Sequence, residues 1–347
     1  MIRKLKYLLI ALAIVSCSYS AKAKTVQDYE IKIESNYYAS LSWWGLKQLG
    51  FLGDDLNPEY LSWRTKLSEA GEDIKFKAPV AGGPLFTFIY QLPGYIEPEN
   101  TDDFQRTMEG CIDFVKTGSI EKLKADWPEE TKYLEKWYNP VYIDIVFEGI
   151  GENRIDVIET LEIWKDYIVS IWDQYQPIYN KKMKDYPYDT INAHYETSTI
   201  LQQWDTVMGF KYPFDKFIVC ICPESRTTAS SLGPEKIVFS SSYSKNILEH
   251  SIVHECGVRY FPFDQFASRE KSAEIMRTDY DNFLRIIETE VCFRKPEILK
   301  FEKDYFLHGM QLENILEFRK EKQQNELDIY AFITQLYIQA KKDSIIK

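Results

Sequence analysis

Two of the chain's four histidines fall within one short segment, Ile247-Leu248-Glu249-His250-Ser251-Ile252-Val253-His254-Glu255-Cys256-Gly257-Val258-Arg259-Tyr260. Read as a helix turning about 100° per residue, it puts His250, His254 and Val258 on one stripe, with Glu255 to one side. Imidazoles at i and i+4 can meet the same ion, and a neighbouring carboxylate can take a proton from metal-bound water. His250 and His254 are thus candidate metal ligands, and Glu255 is the candidate catalytic base. The same histidines also suit an ordinary helix face, bonded to Glu249 or to backbone.

His254 and Glu255 fill the first two places of a His-Glu-x-x-His motif, and Val258 stands where the second histidine would be. Arg259 cannot substitute as a ligand, because a guanidinium stays protonated and offers no lone pair. A β-rich stretch, Ile237 to Ser241, precedes this helix, and Gly257 follows the His-Glu pair. From Asp215 to Lys295 the chain resembles the gluzincin-like (zincin-fold) metallopeptidases, in particular exported bacterial members, with a degenerate central motif. The resemblance implies a zinc ion, an extended peptide held along a sheet edge, and a third ligand given by a glutamate on a later helix.

That later helix is expected near Tyr280 to Phe293. Glu290 lies on its apolar side and Glu288 at the margin, so Glu290 is the preferred ligand and Glu288 the second. A carboxylate on an apolar stripe needs a partner, and a salt bridge to Arg259 or Arg285 would serve as well as a metal. His250-x-x-x-His254 with Glu290 would make three ligands, but Glu255 would then follow the second histidine and not the first. Cys256 falls on the side of the helix away from His254, which argues against a thiol nucleophile.

The elements that must position these residues make an α+β, helix-dominant chain. From Ser35 to about Trp137 the pattern is mainly helical, broken at Gly53-Asp54-Asp55, Ala81-Gly82-Gly83-Pro84 and Pro93-Gly94. Val141 to Phe147 alternates as a strand. Helices are expected over Ile155 to Met183 and Thr190 to Met208, strands over Phe217 to Cys222 and Lys236 to Ser241, a helix over Ser244 to Tyr260, and more helices from Ser268 to Lys342. The division expected is 1–23 signal peptide, 24–139 helical region and 140–347 zincin-like region.

Met1 to Lys6 is basic and Tyr7 to Val15 is apolar, the order of a secretory signal and too short to span a bilayer. Ser20-Ala21-Lys22-Ala23 offers an ordinary cleavage site, while Ile14-Val15-Ser16-Cys17 resembles a lipobox. Lipidation at Cys17 would tether the mature chain to a membrane surface of the bacterial envelope, periplasm or outer membrane. Cutting there takes the formal charge from −11 to −14, and so acidic a chain argues against nucleic acid as a partner. Five cysteines then remain, an odd number that leaves at least one thiol without an intramolecular disulfide.

Two functions compete. One is an envelope zinc metallopeptidase acting on a peptide or protein, impaired by Val258. The other is a catalytically inactive relative, a peptide- or surface-binding lipoprotein using the groove beside Ile237 to Ser241. A glycan-binding surface using exposed aromatics such as Trp43-Trp44 is a third reading.

Overall fold

The alternating run Glu30–Ser35 forms the first strand, β1, with Ile31 and Ile33 buried and Glu30 and Lys32 turned outward. This computed structural model describes residues 29–70, 90–137, 154–196, 198–225, 229–296, 312–324 and 327–346. The expected signal segment with Cys17 and the expected strand Val141 to Phe147 lie outside the described residues.

After β1 come α1 (Tyr37–Gln48), α2 (Leu61–Glu69), α3 (Leu92–Ile96), α4 (Thr101–Thr117), α5 (Glu121–Asp126) and α6 (Leu134–Trp137). Then follow α7 (Arg154–Met183), α8 (Tyr188–Glu196), α9 (Ile200–Met208), β2 (Lys216–Cys222), β3 (Ser230–Ser231) and β4 (Lys236–Ser240). The described chain ends with α10 (Lys245–Val258), α11 (Phe263–Ala267), α12 (Glu270–Thr278), α13 (Tyr280–Arg294), α14 (Leu312–Lys320) and α15 (Ile329–Lys342). The molecule is helix-dominant with one small mixed sheet, an α+β arrangement. The stretch from Thr190 to Met208, expected as one helix, stops at Glu196 and restarts after Thr199, whose carbonyl accepts the Gln203 N–H.

The four strands lie in the order β1-β2-β4-β3. β1, β2 and β4 run parallel, and β3 pairs antiparallel to β4 through Ser230–Val238 and Ser231–Ile237. The unbroken apolar run Phe217-Ile218-Val219-Cys220-Ile221-Cys222 suits a central strand covered on both faces, and all six residues are buried. A parallel neighbour requires a crossover connection. From β1 to β2 that crossover takes up α1 to α9, so the sheet joins the expected helical region to the expected zincin-like region.

A peptide groove is expected beside Ile237 to Ser241; among the described residues β3 takes the flank of β4 at Ile237 and Val238 and is the sheet edge there. The opposite edge, β1, is covered by α8: Asn192 accepts from the Ile33 N–H and donates to the Ile33 carbonyl, both at 2.7 Å. One side-chain amide thus stands in for a neighbouring strand and blunts an edge that would otherwise invite another chain.

Trp43 and Trp44 do not form an exposed aromatic surface. Trp43 is buried, and Trp44 stacks on Tyr175 of α7 with ring centroids 5.2 Å apart. Tyr37, Trp172 and Tyr179 continue this aromatic packing between α1 and α7. The high aromatic content of the sequence therefore serves the core here.

Candidate functional site

The His-Glu segment forms α10 as expected. Ser244 caps its start, its side chain accepting from the Ile247 N–H, and Arg259 is its C-cap residue. Gly257 lets two neighbours come close. A Cβ there would lie 2.5 Å from the Trp204 ring and 2.8 Å from Val291, so α9 and α13 both press on this point. Trp204 also donates its indole N–H to the Val253 carbonyl at 2.9 Å, fixing α9 along the same turn.

His254 is buried, while His250 lies at a more open position with Nδ1 2.7 Å from the Asn246 carbonyl. Glu255 is buried, and its carboxylate is engaged by Arg259 one turn on, Nη1 to Oε2 at 2.5 Å. Arg259 is buried too, and its Nη2 donates to the Ser231 hydroxyl at 2.6 Å. The guanidinium therefore bridges the motif glutamate to the edge strand β3. Val258 packs against the hydrophobic core. Cys256 is fully buried, and burial pushes its thiol well above the ordinary range.

Glu290 lies on α13, which packs against α10. Its side chain is fully buried and held by two arginines. Arg294 Nε donates to Oε1 at 2.7 Å, Arg319 Nη2 reaches the same oxygen at 3.1 Å, and Arg319 Nε binds Oε2. A carboxylate so satisfied is a structural ion pair in a place where an isolated charge would be prohibitive. The expected alternative, a salt bridge, is present, but to Arg294 and Arg319 in place of Arg259 or Arg285. The ligand atoms of His250, His254 and Glu290 do not gather within 4.8 Å of one another.

By donor type and spacing, one group among the described residues could hold a metal: Glu34, Glu97 and Cys220, with ligand atoms all within 4.8 Å of one another. Sequence reasoning missed it, since its members sit on β1, after α3 and on β2. Glu34 and Cys220 are register partners on adjacent strands and therefore face the same side of the sheet. That place already holds a cation. Lys236 of β4 puts its ammonium 2.7 Å from Glu97 Oε1 and 3.0 Å from the Tyr95 carbonyl. Burial also drives the Cys220 thiol well above its ordinary range, keeping its proton on. A metal at this place would have to displace the Lys236 ammonium and take the Cys220 thiol as thiolate.

The two carboxyls lie within 4.8 Å of each other. Burial pushes Glu97 up to about 7, against the pull of Lys236. For Glu34 burial also works upward, but the Glu97 hydrogen bond, Lys32 and Lys236 outweigh it and hold this carboxyl low.

No family model, no curated protein and no solved structure matches this chain.

Proposed function

We propose that this chain is a zincin-like protein of the bacterial envelope that has given up hydrolysis and serves as a peptide- or surface-binding lipoprotein. The observation carrying this reading is the position of Arg259, bonded at once to Glu255 and to Ser231 of the edge strand. A general base must present a free carboxylate oxygen to water, and here a buried guanidinium already occupies Oε2 of Glu255. The order of elements supports the zincin-like part: a small mixed sheet, then a His-Glu helix, then a glutamate-bearing helix packed on it. Glu290, the third ligand such a site would use, is spent on two arginines.

In this reading α10 holds no zinc. Its binding surface is the outer edge of β3, where an extended peptide would add to the sheet. Cys17, if lipidated, would hold that surface near a membrane. Hydrolysis of unstructured peptides by the purified protein, with and without added zinc, tests the reading. The expected result is no turnover above a Glu255→Gln control, and zinc-dependent turnover lost in that control overturns it.

A further inference from the structure

Glu34 of β1 and Cys220 of β2 are register partners, and Glu97 reaches them from the end of α3. The Cys220 side chain is fully buried, with its sulfur 3.9 Å from Oε1 of Glu34, from Oε1 of Glu97 and from Nδ2 of Asn36. At that range hydrogen bonds hold a thiol only weakly. The spacing is close to that of ligands around one ion: with Zn–S about 2.3 Å and Zn–O about 2.0 Å, a tetrahedral centre sets sulfur and oxygen about 3.5 Å apart. Closing the group on an ion takes a few tenths of an ångström.

The carboxylates are already turned toward the sulfur. Lys32 holds Oε2 of Glu34 at 2.6 Å, which leaves Oε1 as the oxygen that faces Cys220. Glu97 is fixed in a left-handed C-cap conformation, φ 60° and ψ 61°, its N–H donating to the Pro93 carbonyl. Asn36, beside the sulfur, donates to the Gly94 carbonyl at 2.7 Å and accepts from the Ala39 N–H at 2.8 Å. Outer contacts of this kind orient metal ligands.

An independent observation is the cation already seated there. The Lys236 ammonium lies 2.7 Å from Oε1 of Glu97, the same oxygen that faces the sulfur. It also donates to the Tyr95 carbonyl at 3.0 Å, so it can yield the carboxylate and keep a second anchor. The Glu97 side chain is 34% exposed, which opens the group to solvent and to water as a fourth ligand.

We propose that Glu34, Glu97 and Cys220 form a three-ligand site for a divalent metal of the zinc type, entered by displacing the Lys236 ammonium from Glu97. The site does not depend on the reading of α10. A thiolate beside two carboxylates suits zinc and its spectroscopic stand-in cobalt, whereas magnesium and calcium take oxygen ligands. On binding, a sulfur–metal bond forms, the thiol proton passes to solvent, and no electron changes hands. The three anionic ligands exceed the charge of the ion by one, which the ammonium retained at Tyr95 balances. The ion ties the end of α3 to β1 and β2.

Titration of the purified wild-type protein with cobalt(II), followed by absorption, tests the site. A thiolate-to-cobalt charge-transfer band should grow to one equivalent, vanish when zinc is added and withstand excess magnesium. Cys220→Ser, which keeps both carboxylates, should lose the band. Lys236→Met, which removes the competing ammonium, should bind cobalt about tenfold more tightly. No band in the wild-type protein overturns the proposal, and that measurement needs no variant to fold. A band that persists in Cys220→Ser overturns it too, as does unchanged or weaker binding in Lys236→Met. A band seen only in Lys236→Met also overturns it, because the lysine would then exclude the ion from the natural site.

Discussion

Arg259 and Glu255 stand one helical turn apart on α10 with Nη1 2.5 Å from Oε2, and both side chains are almost fully enclosed. The i, i+4 spacing makes the pair possible on any helix. Burial and the second bond to Ser231 make it a fixed part of this one. Arg259, the residue after Val258, thus shapes the surroundings of the Glu255 carboxylate.

Removing one partner of an enclosed ion pair leaves the other charge uncompensated. Arg259→Ala is expected to lower unfolding stability by about 3–5 kcal/mol. Urea denaturation measures this, and a change within error would mean the pair is loose in solution.

Glu290→Ala strands two guanidiniums, those of Arg294 and Arg319. Its loss should be at least as large, about 3–5 kcal/mol, with no change in the zinc content of the purified protein. A fall in bound zinc together with unchanged stability would return Glu290 to the role of ligand.

Gly257→Ala places a methyl against Trp204 and Val291. Overpacking of this kind costs about 1–3 kcal/mol. A drop in the thermal midpoint with retained far-ultraviolet circular dichroism is expected, and a stabilised variant would show that α9 and α13 can withdraw.

Asp205 accepts from Tyr29, Tyr260, Lys211 and the Tyr212 N–H, drawing α9, the start of the described chain and the residues just after α10 together. Burial works to raise this carboxyl, but these donors outweigh it and hold it below the usual aspartate range. Its contribution is therefore present above the unfolded aspartate value and lost as pH falls through the native one. Between pH 6 and pH 3 the wild-type protein should lose more stability than Asp205→Asn; equal losses would remove Asp205 from this role.

The local elements were largely legible in the sequence. The apolar run of β2, the strand β4 and the helices α7 and α10 announce themselves through periodicity that neighbouring residues carry. β1 was not read, because six residues with two isoleucines give a weak signal and its pairing partner lies some 180 residues later. A separation of 139 residues likewise hid Lys236 and Glu97 from each other. For Glu290, Arg294 at i+4 was a readable partner, whereas Arg319 could be placed only by the packing of α14 on α13.

Zinc titration by isothermal calorimetry, run on the wild-type protein and on His254→Ala, tests most directly the claim that α10 no longer holds a metal centre. The account predicts that the two proteins give the same isotherm. A one-to-one site in the wild-type protein that disappears in a folded His254→Ala would contradict it.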